Sequence, residues 1–105
     1  MEIKHKIWLE NDGKVVFGPG RDDLLKAVLE NQSLNAAAKK LKMSYRAAWG
    51  RIKASEKRLG IKLIEVDNVK KGMHLTDEAK NLIDKFDKLD KKITSLLHKS
   101  NREFS

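Results

Sequence analysis

The chain has 105 residues, 40% of them hydrophobic and 36% charged, which is the size of one domain around one core; a second, ligand-sensing domain is not expected within it. Its 23 Lys and Arg outnumber 15 Asp and Glu for a formal net charge of +8, a balance that favours polyanionic partners, either nucleic acid or an anionic membrane surface. The absence of cysteine excludes disulfides, thiolate catalysis and Cys-based zinc sites together, and no apolar stretch approaches the roughly 20 residues that cross a bilayer or forms an export signal, so a cytoplasmic protein without a membrane role is expected.

Ile3, His5, Ile7 and Leu9 alternate with their neighbours, Asn11-Asp12-Gly13 supplies turn chemistry, and Val15 to Phe17 resumes an apolar run, so residues 1–18 read as a hairpin. Pro19 then precedes Arg21, Asp22 and Asp23, where acidic groups suit the positive end of a first helix running to about Glu30. Leu24, Leu25, Val28 and Leu29 are spaced for its buried face, and Lys26 and Glu30 for an exposed pair four apart. Ser33 is a good N-cap for a short second helix whose apolar positions are Leu34, Ala37, Ala38 and Leu41. Its small residues admit a close neighbour, and Lys42-Met43-Ser44 gives a tight connection ending in another N-cap, the pattern of a helix-turn-helix.

The third helix, Tyr45 to Leu59, stops at Gly60, the residue type that best adopts the left-handed conformation after a helix end. At about 100° per residue, Ile52, Ser55 and Leu59 fall on the side of Ala48 and face the core. The opposite side carries Arg46, Gly50, Lys53 and Lys57, with Trp49 on its flank. Such a face offers an Arg for a bidentate guanine contact, two Lys for phosphates or guanine, and a Gly that lets the backbone come close. Basic residues on an outer helical face are more often plainly solvated; position after the N-cap of the second helix of a helix-turn-helix is what favours recognition. Trp49 is left between packing on the hairpin and contacting a thymine methyl or sugar, while Tyr45 leans towards contact.

Ile61, Leu63, Ile64 and Val66, then a polar loop with Lys70 and Lys71, then Met73 to Leu75, read as two strands around a basic wing at 61–75. Lys70 and Lys71 at its tip could follow the phosphate backbone or minor groove, or simply keep an edge soluble. From Thr76, an N-cap followed by Asp77 and Glu78, a long helix runs to residue 99. Leu75, Ala79, Leu82, Phe86, Leu89, Ile93 and Leu96 recur at steps of four and three, the 3.5-residue repeat of a two-stranded coiled coil, and a helix of about 30 Å outreaches so small a domain. These seven residues are the expected homodimer interface; Ile83 and Leu97 widen the stripe towards the body, and residues 100–105 are expected to fray. The fold class is mainly α with a small β component: a winged helix-turn-helix with an N-terminal β-hairpin and a long C-terminal dimerisation helix.

Enzymatic chemistry fits poorly, because His5, His74 and His98 are scattered and no Gly-rich phosphate loop or paired acidic motif occurs; no cofactor and no metal are expected. The favoured function is a dimeric, sequence-specific binder of double-stranded DNA regulating transcription, with residues 45–59 in the major groove and a separate effector protein as an open partner. A non-enzymatic protein-interaction module and a non-specific architectural DNA binder remain alternatives.

Leu34 to Val66, LNAAAKKLKMSYRAAWGRIKASEKRLGIKLIEV, resembles the winged helix shared by LysR-type regulators and the N-terminal domain of molybdate-responsive, ModE-type regulators. SYRAAW at Ser44 to Trp49 and the preceding hairpin look closer to the ModE type. The resemblance implies that Ser44, Tyr45, Arg46, Trp49 and Lys53 meet DNA and that the last helix forms the dimer; no ModE-type molybdate-binding domain follows in this sequence.

Overall fold

The computed structural model describes residues 1–67, 69 and 72–105; Lys70 and Lys71, the expected wing tip, lie outside the described residues. Strands β1 (Leu9–Asn11) and β2 (Lys14–Phe17) pair antiparallel across Asp12 and Gly13, whose φ angles of +51° and +77° are those a tight hairpin turn demands. Val16 and Phe17 are buried, so this hairpin contributes to the core. Met1–Trp8 form no strand despite their alternation. Among the described residues no third strand is there to pair with them, and the segment instead lies along the last helix: Ile3 N–H donates to Asn101 Oδ1 at 3.0 Å, and His5 Nε2 sits 2.7 Å from Asp90 Oδ1.

Helices α1 (Pro19–Asn31), α2 (Leu34–Lys40) and α3 (Tyr45–Leu59) follow. Pro19 occupies the first turn of α1, where its missing N–H costs nothing. Ser33 and Ser44 cap α2 and α3 by accepting from Ala36 N and Ala47 N, each at 3.1 Å. Gly60 ends α3 at φ +70°. Two expectations for α1 fail. Leu29 is half exposed, and Lys26 pairs with Asp22 (2.9 Å) and Asp87 (2.9 Å) rather than with Glu30, which pairs with Lys40 instead. Two carboxylates that converge on one ammonium from adjacent helices hold it better than a single exposed one.

Strands β3 (Ile64–Asp67) and β4 (Gly72–Leu75) form the wing hairpin, Ile64 opposite Leu75. Helix α4 (Asp77–Ser100) is capped by Thr76, and a 3-10 turn (Asn101–Phe104) follows it. The Thr76 hydroxyl donates to Lys62 O (2.7 Å) while accepting from Ala79 N (3.1 Å), and Thr76 N–H donates to Leu63 O (3.0 Å), locking the wing to the start of α4.

The core gathers Leu24, Leu25 and Val28 of α1, Ala37 and Ala38 of α2, Ala48 and Ile52 of α3, with Leu63 and Ile64. Phe17 meets Phe86 of α4 edge to face, with ring centroids 5.0 Å apart. Leu75, Ala79 and Phe86, expected in the dimer seam, are consumed by this core. The reason is geometric: the proximal half of α4 packs on α1 and β4, so its apolar stripe is used within the chain. The molecule measures 55 × 30 × 23 Å. No residue of α4 beyond Phe86 is buried, and among the described residues its distal half meets only the N-terminal segment, through Asp90 and the following Asn101. There Leu89 and Leu96 are exposed and Ile93 partly so, whereas Leu82, in the proximal half, is partly buried against the core.

Candidate nucleic-acid interface

Helix α3 divides into two faces. Ala48, Ile52 and Ser55 are buried against the other elements, which turns Arg46, Gly50, Lys53 and Lys57 outward. Ser44, Tyr45 and Trp49 are exposed as well, so the seven expected contact residues on and before this helix share one solvent-facing surface.

Tyr45 and Trp49, one turn apart, lie nearly parallel, with centroids 6.4 Å apart and planes 9° from each other. Trp49 remains 37% exposed and Tyr45 49%, so Trp49 stands on the surface instead of packing inside the hairpin. Lys53 extends over the indole, its Nζ 4.5 Å from the ring centroid, and bonds Glu56 Oε1 at 3.0 Å. The lysine is thus held by two partners, while Arg46 and Lys57 form no ion pair among the described residues.

Glu56 was not legible as a site residue in the sequence. Its Oε2 accepts Leu63 N–H at 2.8 Å and, more weakly, Ile64 N–H at 3.4 Å, fixing β3 against α3. Burial alone would raise its pKa, but these two N–H donors and Lys53 outweigh burial and hold the carboxyl below its ordinary value. The signal that could have shown this is an acidic residue on an otherwise basic helix eight residues before a strand. The wing therefore takes its position from α3 directly, and Trp49, Lys53, Lys62, Ile64 and Val66 line one shallow cleft between them.

Three right-handed helices with the third exposed along a basic, aromatic face, and a β-hairpin beside it, define a winged helix-turn-helix protein. The sequence matches the model of bacterial regulatory helix-turn-helix proteins of the lysR family over residues 23–80, more than half of the chain, and the protein belongs to that family. Among solved structures, a CbnR DBD in complex with DNA is similar at 22% identity and a TM-score of 0.65, over 82% of this chain and 97% of that one. A BenM DBD in complex with benA site 1 DNA is 26% identical with a TM-score of 0.64, over 82% of this chain and 94% of that one. A LysR-family transcriptional regulator from Eggerthella lenta is 25% identical with a TM-score of 0.57, over 65% and 94% respectively. No curated protein matches the chain. The N-terminal segment, the first hairpin, the first turn of α1 and all of α4 beyond its first turn lie outside the family match. No described helix is long and apolar enough to cross a membrane.

Proposed function

We propose that this chain binds double-stranded DNA sequence-specifically as a homodimer and regulates transcription, with α3 in the major groove. The observation that carries this reading is the two-sided character of α3: a buried Ala48–Ile52–Ser55 side forces Arg46, Trp49, Gly50, Lys53 and Lys57 onto one exposed face of a chain with net charge +8. Arg46 reads a base edge, Ser44 and Lys57 fix the helix on phosphates, and the Tyr45–Trp49 plate offers an apolar surface to thymine methyls. Lys70 and Lys71 add charge from the wing. The DNA-bound CbnR and BenM domains support this by likeness of fold and family.

The dimer forms through the stripe left open on distal α4, Leu89, Ile93 and Leu96, with the partly buried Leu82 at its near end. A separate effector protein would supply any signal. Within the family, SYRAAW and the N-terminal hairpin support a ModE-type reading, while the solved structures above are of LysR type.

The test is selection of duplexes from a random pool at about 0.15 M salt, where non-specific charge binding is weakened. A two-fold-related motif is expected. The Arg46→Ala variant should lose about 1 to 3 kcal/mol and relax preference at one base step; an unchanged binding profile would remove Arg46 from base reading.

A further inference from the structure

Away from the exposed α3 face, the described residues hold a concentration of charge that no carboxylate answers. Arg21 lies in the first turn of α1, and Arg51 and Arg58 lie seven residues apart on the flank of α3. That flank is about 140° round the helix from Arg46. Arg51 Nη1 comes within 3.8 Å of where a side chain on Gly20 would begin, and Arg58 reaches β2, donating to Val15 O at 2.7 Å. Val15, Gly20 and Arg21 line one cleft of about 300 Å³ together with Lys6, while Arg51 lines a second cleft that shares Gly20 and Arg58 a third that it shares with Asp12 and Lys57.

None of the three arginines forms an ion pair among the described residues. Asp23, which shares a neighbouring cleft with Gly20 and Arg51, is not among their ion-pair partners either. Elsewhere the chain compensates its less exposed charges, as with Lys26 between Asp22 and Asp87 and Glu56 beside Lys53. Burial, then the charges of Arg58 and Arg51, press the Arg21 guanidinium below its ordinary pKa. Its Nε is buried with no acceptor, and no side chain caps the helix behind it. Like charges gathered without an anion cost free energy that a bound anion returns, and guanidinium forks match an oxyanion's oxygens.

We propose that Arg21, Arg51 and Arg58 form a binding site for a phosphate-type oxyanion, separate from the exposed face of α3. The ligand is either a free oxyanion or a backbone phosphate of DNA lying outside the bases that α3 covers; both present the same tetrahedral oxygens.

The experiment compares the full chain, Arg51→Gln and, as a control of equal charge change on distal α4, Lys99→Gln. Arg51 is exposed and forms no ion pair among the described residues, so its loss is expected to leave the fold intact. Thermal midpoints are read in potassium phosphate against potassium chloride of matched ionic strength, and affinities on duplexes carrying single methylphosphonates. A phosphate-dependent rise in the parent and Lys99→Gln that disappears in Arg51→Gln establishes a free-oxyanion site. No rise, but a flanking methylphosphonate that weakens the parent about tenfold and leaves Arg51→Gln unaffected, establishes the DNA phosphate as ligand. Absence of both effects, or equal loss in Arg51→Gln and Lys99→Gln, overturns the proposal. The first arm needs no DNA, so it stands or falls apart from the DNA-binding reading.

Discussion

Single side chains here carry connections that a sequence pattern assigns to only one task. Thr76 was legible as an N-cap, but its hydroxyl also satisfies Lys62 O. Thr76→Val keeps the shape and removes both bonds, so a loss of about 2 kcal/mol is expected in the denaturant midpoint; a change below about 0.5 kcal/mol would show the connection to be dispensable. Asp22 is the opposite kind of residue, one whose charge is a burden. Burial, aided by the neighbouring Asp87, pushes its pKa up to about 6 from an ordinary 3.8, against the pull of Lys26. Asp87 is held below its ordinary value because its bonds to Lys26 and Asp22 outweigh its own burial. Between the two Asp22 values the folded chain keeps a proton that the unfolded chain has released, so its contribution to stability is full below about pH 4 and is lost as pH rises through 6. Asp22→Asn cannot titrate, and thermal midpoints measured from pH 5 to pH 7 should fall less steeply in that variant. An identical slope would assign the titration elsewhere.

At the scale of elements, the helices and their caps were legible because caps and apolar spacing are local. Ser33, Ser44 and Thr76 all accept the N–H three residues on. What the sequence hid were choices between partners distant along the chain. The alternation Ile3–Leu9 looks like a strand, and only the lack of a neighbouring strand and the presence of Asp90 and Asn101 make it a strap on α4. Likewise an unbroken repeat from Leu75 to Leu96 cannot reveal that its first half packs on its own chain, because core and interface ask for the same residues. For the candidate site, the exposed face of α3 followed from angular spacing alone, whereas the Glu56 tether to β3 depends on a fold-level approach of two elements. Glu56→Gln weakens both acceptor bonds and frees Lys53. About 1 kcal/mol of destabilisation is expected, with faster amide exchange at Leu63 and Ile64; unchanged exchange there would show that the wing is held by other means.

For the molecule as a whole, the decisive feature is a helix that outruns the body it packs on. Leu89 and Leu96 lie open on its distal half, Leu96 at 62% exposure. Leu89→Glu should leave the monomer folded, since that side chain is outside the core, yet give a monomeric mass by light scattering. Affinity for a two-fold site should then drop by about a hundredfold or more as the second contact ceases to be tethered to the first. A dimer of undiminished stability would place the interface on another surface. The strap on the same helix has a kinetic meaning. Its bonds join residues 98 and 85 positions apart, whereas α1 to α3 and the two hairpins close over short loops. Loop closure across nearly the full chain is entropically the most demanding step, so the helix-turn-helix and wing are expected to assemble first and the strap to dock last. A contact absent from the transition state leaves the rate of folding alone and governs how slowly the finished structure comes apart. Deleting the bonds of Ile3 and His5 to Asn101 and Asp90 is thus expected to quicken unfolding while leaving the rate of assembly, set by the elements between them, unchanged.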